Sequence, residues 1–417
     1  MRPKIAVIGA GLAGLYCGKL LLDDCYDVEI FERSDSIGGR MKTDKSNGYL
    51  LDHGFHVLQT GYQYSSTVFD YELLNAKSFQ PGALVIRSST KRSRIWRLSD
   101  PFRRPLQALR DGLGFFASPL DFLKVVLMRR KIRKLSIDSL FQEGESSTEK
   151  WLIEQGFSQR FIDRFFYPLF SGIFLESDLR TNERMFKFVF RSMSDGDMVL
   201  PEHGIQSIPN YIASSIESEK IFLNSNVELE SNESIIVDGD VRTYDAVVIA
   251  FDNRIKRSKK HVWTLYFSAD KSPLRSSHIM LNSEVRTHNN LISYIAVPSD
   301  VQPSYAPSGK SLISVTVLGE IADRLDLKKE SEITSKVESE LMQWFGEIVS
   351  KWQLISIQHI QQALPESDSI MFDNPDNNLN DGYFYCGDFM THGSVEGTLI
   401  SAKQAVQSIK QKLPFGN

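Results

Sequence analysis

The sequence predicts an α/β protein: a domain built on a parallel sheet, with an inserted α+β domain that carries an antiparallel sheet. Three observations lead to this prediction. The chain has 417 residues, enough for two or three domains at ~150 residues each. An apolar strand, a glycine-rich turn, a helix and a second strand follow one another from Lys4 to Glu32. Another glycine-rich turn between a strand and a helix lies from Tyr383 to Gly397.

The composition is that of an ordinary globular protein. Hydrophobic residues make up 41% of the chain and charged residues 24%, which excludes a disordered chain. The net charge of −4 argues against nucleic acid as a partner. The three cysteines, Cys17, Cys25 and Cys386, have no CxxC spacing. They predict neither disulfides nor a metal site, and they indicate a reducing compartment such as the cytoplasm.

Residues 5–22 form an apolar run in which Lys19 is the one charged residue. The length of the run invites comparison with a membrane span or a signal peptide. Its glycine spacing, and the β-branched strand that resumes at Val28, favour a soluble core instead. Lys4 to Ile8 is therefore predicted to be a buried strand of a parallel sheet.

The turn after this strand has the G-x-G-x-x-G pattern of a Rossmann-like domain that binds FAD or NAD(P). The first glycine permits the tight turn, the second lets the backbone approach a pyrophosphate, and the third allows the helix to pack closely on the strand. The second strand ends at Glu32, where a carboxylate would accept hydrogen bonds from an adenosine ribose. Glu32 disfavours NADP, although the adjacent Arg33 weakens that argument. The residues expected to bind the dinucleotide are Gly9, Gly11, Ala13, Gly14, Glu32 and Arg33.

The next segment favours FAD over NAD. Glu32-Arg33 is followed by Gly38-Gly39-Arg40 and then by Asp52-His53-Gly54. This E-R-x4-G-G-R sequence resembles the flavin amine oxidase, phytoene desaturase and protoporphyrinogen oxidase superfamily of GR2-type flavoproteins. The resemblance implies that Gly39 and Arg40 lie along the FAD pyrophosphate, and that Gly54 and Phe55 lie close to the flavin. A surface salt bridge is the alternative for Arg40.

The C-terminal turn resembles the last FAD motif of the same superfamily. A strand ends in Gly387-Asp388, and a helix follows from Ser394, a good N-cap, to about Lys412. A helix N-terminus at the flavin would stabilise its anionic reduced form. Cys386 could attach the flavin covalently, as in some relatives, but the superfamily's usual residue here is small, so the resemblance favours a packed Cys386 and noncovalent FAD. It adds these cofactor-binding residues: Gly387, Asp388, Ser394, Val395 and Glu396.

The middle of the chain is expected to return to the same sheet. The strand from Asp245 to Ala250 resembles the superfamily strand that rejoins the nucleotide-binding domain, and the resemblance places Val227 near the adenine. The FAD-binding domain is therefore expected in three pieces, 1–60, 200–253 and 382–417. The substrate-binding domain would take the two intervening pieces, 61–199 and 254–381.

The first insert is predicted to be mostly helical. Ser118-Pro119 begins a helix through about Leu135, and Ser146 with Glu149 predicts a capping box for the next helix. Aromatic residues crowd the stretch from Phe161 to Leu175, which favours either core packing or a pocket for a large apolar substrate. Tyr383 and Tyr385 offer either one wall of an aromatic cage for an amine or core packing. The expected pocket residues are Phe170, Phe174, Tyr383 and Tyr385.

The second insert alternates strands and helix. Residues 262–267, 291–297 and 312–318 are predicted to be strands of an antiparallel sheet, and residues 332–349 an amphipathic helix. The segment 200–209 resembles the superfamily's P-x-G-G segment near the flavin, with His203 where a glycine is usual.

A strongly basic block spans residues 87–134, with 14 basic residues against three acidic ones. Apolar residues such as Phe115, Leu123 and Leu127 are interleaved with the charges. This pattern favours either peripheral contact with a membrane surface or a solvated basic face.

The flavin supplies most of the chemistry in substrate oxidation, so an obligatory protein base is not expected. His53 and His56 flank Gly54, and a neutral histidine there could accept a proton. Lys259 and Lys260 precede a predicted strand, where amine oxidases of the superfamily carry a lysine linked through water to the flavin.

The resemblance implies an FAD-dependent oxidoreductase that removes hydride from an apolar small molecule. The alternatives are an amine oxidase that releases peroxide, an isomerase or mutase that needs reduced FAD, and a non-catalytic flavin-binding protein. The electron acceptor, whether oxygen, quinone or another molecule, stays open.

Overall fold

The computed structural model describes residues 2–87, 93–100, 103–112, 118–142, 144–231, 233–252, 259–286, 290–365 and 382–414. Its strands are β1 (Lys4–Ile8), β2 (Asp27–Phe31), β3 (Thr43–Ser46), β4 (Tyr49–Asp52), β5 (Leu58–Gln59), β6 (Lys77–Ser78), β7 (Gly82–Arg87), β8 (Arg94–Ser99), β9 (Met198–Leu200), β10 (Ile221–Phe222), β11 (Val227–Ser231), β12 (Ser234–Val237), β13 (Asp240–Thr243), β14 (Ala246–Ile249), β15 (Lys259–Ala269), β16 (Ile279–Asn282), β17 (Ile292–Ala296), β18 (Ser311–Leu318), β19 (Gln353–Pro365) and β20 (Phe384–Tyr385).

The helices complete the set of elements. They are α1 (Leu12–Asp23), α2 (Ser65–Val68), α3 (Pro105–Gly112), α4 (Pro119–Lys134), α5 (Ile137–Gln142), α6 (Thr148–Glu154), α7 (Gln159–Phe161), α8 (Tyr167–Phe174), α9 (Glu183–Asp195), α10 (Ser207–Ala213), α11 (Pro298–Val301), α12 (Gly319–Arg324), α13 (Glu330–Phe345) and α14 (Val395–Lys412). A π-helical turn, Ile162–Phe166, joins α7 to α8.

A five-stranded parallel sheet in the order β10-β2-β1-β14-β20 forms the first layer. Its strands come from distant parts of the chain, and α1 and α14 pack with it around one apolar core. Strand β14 is buried throughout, as expected of a strand covered on both faces. The α/β fold class with a Rossmann-like domain is confirmed.

The antiparallel sheet has seven strands in the order β19-β15-β18-β17-β16-β7-β8. Neighbouring strands are antiparallel except β16 and β7, which are parallel. The predicted strands of the second insert are all present, but β7 and β8 come from the first insert, which was predicted to be mostly helical. Gly82–Arg87 contains four consecutive apolar residues, so no alternation of apolar and polar residues marks this strand.

The helices of the first insert cover this sheet. Apolar residues of α4 to α9 join those of β15 to β18 in the largest core of the described residues. Helix α4 begins as predicted, with Ser118 and Asp121 forming a capping box. The predicted cap of α6 was wrong by one residue, because Ser147 rather than Ser146 accepts the hydrogen bond from Lys150 N–H.

The apolar run 5–22 forms β1 and α1, and most of its residues are buried in the protein core. Within the described ranges, no helix has both the length and the apolar character needed to cross a bilayer.

Candidate functional site

The glycines of the first turn have three different surroundings. Gly9 has a φ of +107°, which favours glycine. A Cβ on Gly14 would lie 1.9 Å from the Gly9 carbonyl oxygen, so the helix can approach the strand only without a side chain there. A Cβ on Gly11 would meet no atom within 4 Å. The open space at Gly11 faces the start of α1, where no side chain caps the free N–H groups. These features fit the pyrophosphate of a dinucleotide.

The second strand brings an acid to this turn. The Glu32 carboxylate accepts hydrogen bonds from Ala10 N–H at 2.8 Å and Ser34 N–H at 3.0 Å. These bonds hold the carboxylate beside the turn. Ala13 is buried within α1, and Arg33 is exposed. Val227 packs against the apolar cluster that also contains Phe31 of β2.

The double-glycine segment contacts the first turn. Gly38 N–H donates to the Ala10 carbonyl at 2.9 Å, and a Cβ on Gly39 would lie 3.3 Å from Gly11 Cα. Arg40 Nη2 lies 2.6 Å from Asp388 Oδ1, and this carboxylate raises the pKa of the Arg40 guanidinium. The N-terminal and C-terminal motifs are therefore joined by an ion pair, and the contact of Arg40 with the pyrophosphate stays a prediction.

The C-terminal turn begins α14. Gly387 adopts a φ of +149°, and its N–H donates to Ser401 Oγ at 2.9 Å. Ser394 caps α14 as predicted by accepting a hydrogen bond from Gly397 N–H at 3.0 Å, and Val395 is the first helical residue.

The Glu396 side chain binds backbone N–H groups at the start of α2. The buried carboxylate accepts N–H bonds from Tyr64 at 2.8 Å and Ser65 at 2.7 Å. This carboxylate therefore fixes the start of α2, and burial raises the pKa of Glu396. The carboxylate is engaged by the N-terminus of α2, and a contact of Glu396 with the cofactor stays a prediction.

The D-x-G segment is held by contacts that the sequence alone did not predict. The buried Asp52 carboxylate accepts hydrogen bonds from Thr43 Oγ1 at 2.6 Å, Ile205 N–H at 2.9 Å and Tyr305 O–H at 2.9 Å. Gly54 then adopts a φ of +82°. Thr43 is the partner of Asp52 in the β3–β4 hairpin, whereas Ile205 and Tyr305 come from distant parts of the chain that no local pattern predicts.

The two histidines beside Gly54 differ in their partners. His56 Nε2 donates to the His53 carbonyl at 2.8 Å, which leaves Nδ1 as the acceptor of a neutral ring. Burial lowers the pKa of His56 and keeps the ring neutral. His53 Nε2 instead lies 2.7 Å from the Asp44 carboxylate. We retain His56 as the stronger candidate for accepting a proton.

Lys260 is held by a buried ion pair. Its ammonium donates to Glu176 Oε2 at 2.9 Å and to the Phe174 carbonyl at 2.7 Å. A lysine bound in this way is not placed as the amine oxidase resemblance suggested. The side chain of Lys259 lies outside the described residues.

An apolar cavity lies between the first insert and the edge of the antiparallel sheet. Phe55, the residue after Gly54, packs edge-to-face with the wall residue Phe79, at 6.1 Å between ring centroids. Apolar residues dominate the wall: Phe79, Pro81, Ala83, Leu98, Phe122, Val125, Phe161, Phe165, Leu169, Phe170, Phe190, Met193, Met198 and Ile279.

Phe170 is the predicted pocket residue that lines this cavity. Phe174 is buried in the core of the first insert, where its carbonyl binds Lys260. Tyr383 and Tyr385 pack with Ile249 and Phe389 at the end of the parallel sheet. None of these three residues lines this cavity, and their place in a substrate pocket stays a prediction.

Cys386 is fully buried beside Cys17, and the contact with that thiol and burial raise the pKa of Cys386. A buried, protonated thiol is a poor nucleophile, which agrees with noncovalent cofactor binding. His203, in the P-x-G-G-like segment, is 76% exposed at its side chain.

Part of the basic block is exposed on α4. Leu120, Leu123 and Leu127 follow one face of this helix, and Leu123 and Leu127 are each 54% exposed. Arg130, Lys131 and Lys134 continue the same face toward the C-terminal end. Lys91, Arg92, Phe115 and Phe116 lie outside the described residues.

Comparison with known proteins gives a family match over nearly the whole chain. A family model described as flavin containing amine oxidoreductase matches residues 12–410. The chain is 43% identical over 51 residues to 4,4′-diapophytoene desaturase of Staphylococcus aureus. It is 41% identical over 58 residues to a lysine-specific histone demethylase 1B homolog of Caenorhabditis elegans. These matches cover 10% and 7% of those two proteins, so each compares one short segment.

Solved structures share the fold over the full length. An oxidoreductase from Methanosarcina mazei has 20% identity and a TM-score of 0.73, covering 97% of this chain and 100% of that one. Putrescine oxidase bound to putrescine has 13% identity and a TM-score of 0.71, covering 99% of both chains. Cyclohexylamine oxidase from Brevibacterium oxydans has 15% identity and a TM-score of 0.69, covering 100% of both chains.

Proposed function

The chain belongs to the flavin-containing amine oxidoreductase family and is therefore an FAD-dependent oxidoreductase, and we propose that its substrate is an apolar molecule that loses hydride to the flavin. The observation that carries this proposal is the apolar cavity, whose wall is mostly aromatic and aliphatic. Burial of a large apolar substrate in such a wall is favoured at about 25 cal/mol per Å² of apolar surface.

Bound FAD would supply the hydride acceptor. The open space at Gly11 and the free N–H groups of α1 would hold its pyrophosphate, and the Arg40–Asp388 pair would fix the two glycine-rich motifs around it. His56, neutral and with Nδ1 as its acceptor, would take up a proton released by the substrate. The apolar wall would exclude water from the reacting carbon.

An amine substrate is the second candidate, supported by the fold shared with putrescine oxidase and cyclohexylamine oxidase. Two observations count against it. Tyr385 is packed in a core, and the Lys260 ammonium is bound by Glu176. An amine oxidase would therefore need a cage built from other residues.

Flavin reduction distinguishes these functions. The FAD-loaded protein is mixed without oxygen with apolar polyisoprenoid or tetrapyrrole compounds and, separately, with a panel of amines, and the flavin absorbance is followed. We expect an apolar compound to bleach the flavin and His56→Ala to slow that reduction about 100-fold. Bleaching by amines alone, with peroxide formed in air, would contradict the proposal. A product formed only after chemical reduction of the flavin, with no net use of reductant, would indicate an isomerase.

We further propose that the exposed face of α4 contacts an anionic membrane surface. The face combines leucines with a basic end, and α4 as a whole carries six basic residues and one acidic residue. Such a helix lies in the interface of a bilayer with its apolar face inward. Phe122 and Val125 of the same helix line the cavity, so this contact would bring the cavity close to lipid-soluble substrate.

A further inference from the structure

We infer that Gln59 is the polar anchor of the apolar cavity, and that the molecule bound there carries one hydroxyl or carbonyl group on an otherwise apolar body. The inference rests on the proposed function, since it specifies the class of apolar substrate. It goes further by excluding a pure hydrocarbon as the best ligand.

Gln59 is a buried polar side chain without a partner. It is 9% exposed, and among the described residues its Oε1 atom accepts no hydrogen bond. Buried polar groups in folded proteins are nearly always paired, so each exception calls for a missing partner. Gln59 also lines the cavity, so a ligand in the cavity is in a position to supply that partner.

The strand places the Gln59 side chain in the cavity wall. Gln59 pairs with Met198 in the β5–β9 ladder, and both residues line the cavity. Leu58 alternates to the other face, where it packs in the core of the parallel sheet. The orientation of Gln59 is therefore fixed by the register of β5 and by the burial of Leu58.

Three other polar residues of the wall, Ser99, Ser194 and Arg103, are already paired. Ser99 Oγ donates to Asp111 at 2.7 Å, and Ser194 Oγ donates to the Phe190 carbonyl at 2.7 Å. Arg103 binds Asp197 at 2.5 Å and the Gly196 carbonyl at 2.6 Å. Gln80 also lines the cavity, but its side chain is exposed to solvent.

The chemistry of an amide defines the ligand. Oε1 accepts a hydrogen bond from a hydroxyl, and the same amide turned over presents its NH₂ group to a carbonyl. A hydrocarbon satisfies neither arrangement and leaves the amide unpaired. A single oxygen function on an apolar body satisfies it, while the rest of the wall buries the apolar body.

The test compares a matched pair of ligands, farnesol and the hydrocarbon farnesene, by displacement of Nile red from the FAD-loaded protein. We expect the wild type to bind farnesol about tenfold more tightly than farnesene, as one net hydrogen bond implies. Gln59→Met, similar in length and apolar, should lose this preference without a lower Tm. The matched control Gln343→Met should keep it, because that exposed side chain lies on α13, outside the cavity wall.

Several results would overturn the inference. They are equal affinities for both ligands in the wild type, a preserved preference in Gln59→Met or in a second variant, Gln59→Leu, or no displacement by either ligand. Loss of FAD from Gln59→Met would also overturn it, because the amide would then serve the cofactor. The binding assay needs no turnover, so an inactive protein that still prefers farnesol would contradict the proposed reaction and not the anchor.

Discussion

At the scale of single residues, two glycines of the first turn are required by the fold, and the third is explained by ligand binding. Gly14 lets α1 approach Gly9, and Gly9 provides the turn, so both are required by the chain itself. Gly11 has a φ of −71°, open to any residue, and empty space around its Cβ position. Its glycine is therefore explained by an approaching ligand rather than by the fold.

Gly11→Ala and Gly14→Ala should consequently have opposite effects. We expect Gly11→Ala to keep the free energy of unfolding within about 1 kcal/mol of the wild type. The same change should weaken FAD binding at least about tenfold, because the methyl group would take the pyrophosphate's space. Gly14→Ala should destabilise the apoprotein by about 2 kcal/mol or more through overpacking. Urea unfolding of the apoprotein and equilibrium dialysis of FAD measure the two effects.

Each variant serves as the control of the other. If Gly11→Ala bound FAD as tightly as the wild type, the pyrophosphate would have to lie elsewhere. If Gly14→Ala were as stable as the wild type, the close contact with the Gly9 carbonyl would not limit the fold.

Residue types in a local pattern were predictable, and their distant partners were not. The glycines, Glu32, Arg40 and Ser394 stand in spacings set by the backbone of a strand–turn–helix unit. The roles of Glu396 and Gln59 depend on α2 and on the cavity wall, which belong to other parts of the chain. Alternation in β5 marks Gln59 as opposite to Leu58, but a two-residue strand is too short to be recognised in a sequence.

At the scale of elements, α4 presents two unlike faces. Val125, Met128 and Ile132 are buried against the core of the first insert. The opposite face exposes leucines that a soluble helix normally replaces with polar residues. The proposed contact with lipid explains this exposure.

The α4 proposal predicts binding to vesicles that contain anionic phosphatidylserine. We expect the wild type to co-sediment at low salt and to dissociate at high salt, since part of the attraction is electrostatic. Leu123→Gln with Leu127→Gln should lower the partition coefficient at least about tenfold, because these two leucines would be buried in the bilayer.

A matched pair of exposed leucines gives the control. Leu73 is 75% exposed and Leu229 is 37% exposed, and neither lies on α4. Leu73→Gln with Leu229→Gln should leave sedimentation unchanged. Equal binding by all three proteins, or no binding of the wild type at low salt, would refute the membrane proposal.

Element boundaries were predictable where a cap marks them. The Ser118 cap and Pro119 fixed the start of α4. Helix α13 was predicted to run to Val349 but ends at Phe345, because Gly346 has a φ of +72° and the chain continues as a 3₁₀ turn. Its apolar periodicity extends past the end of the α-helix, so hydrophobic pattern alone overestimated its length.

At the scale of the whole molecule, buried histidines couple stability to pH. His392 packs against the rings of Phe141 and Phe188, and burial lowers the pKa of His392 to about 3. His278 is also buried, with its pKa lowered to about 4. Between pH 6.5 and these values the unfolded chain binds protons that the folded chain does not, so stability falls as the pH falls.

The pH dependence of unfolding tests this coupling. His392 alone should lower the free energy of unfolding by about 3 kcal/mol between pH 7.5 and pH 4. Urea titrations across that range should show a shallower slope for His392→Gln than for the wild type. His203→Gln should keep the wild-type slope because that ring is exposed. Identical slopes in all three proteins would mean that His392 is protonated in the folded state.

The parallel sheet also sets the order in which the molecule can be assembled. Strand β20 pairs with β14 late in the chain, and Asp388 follows it to meet Arg40. During synthesis the first glycine turn and Arg40 emerge early. Asp388, the ionic partner of Arg40, emerges 348 positions after Arg40. Capture of the flavin nucleotide should therefore follow the synthesis of β20 rather than accompany that of β1. Until then the nascent chain would carry an incomplete sheet edge, which makes this interval the one in which assistance by chaperones matters most.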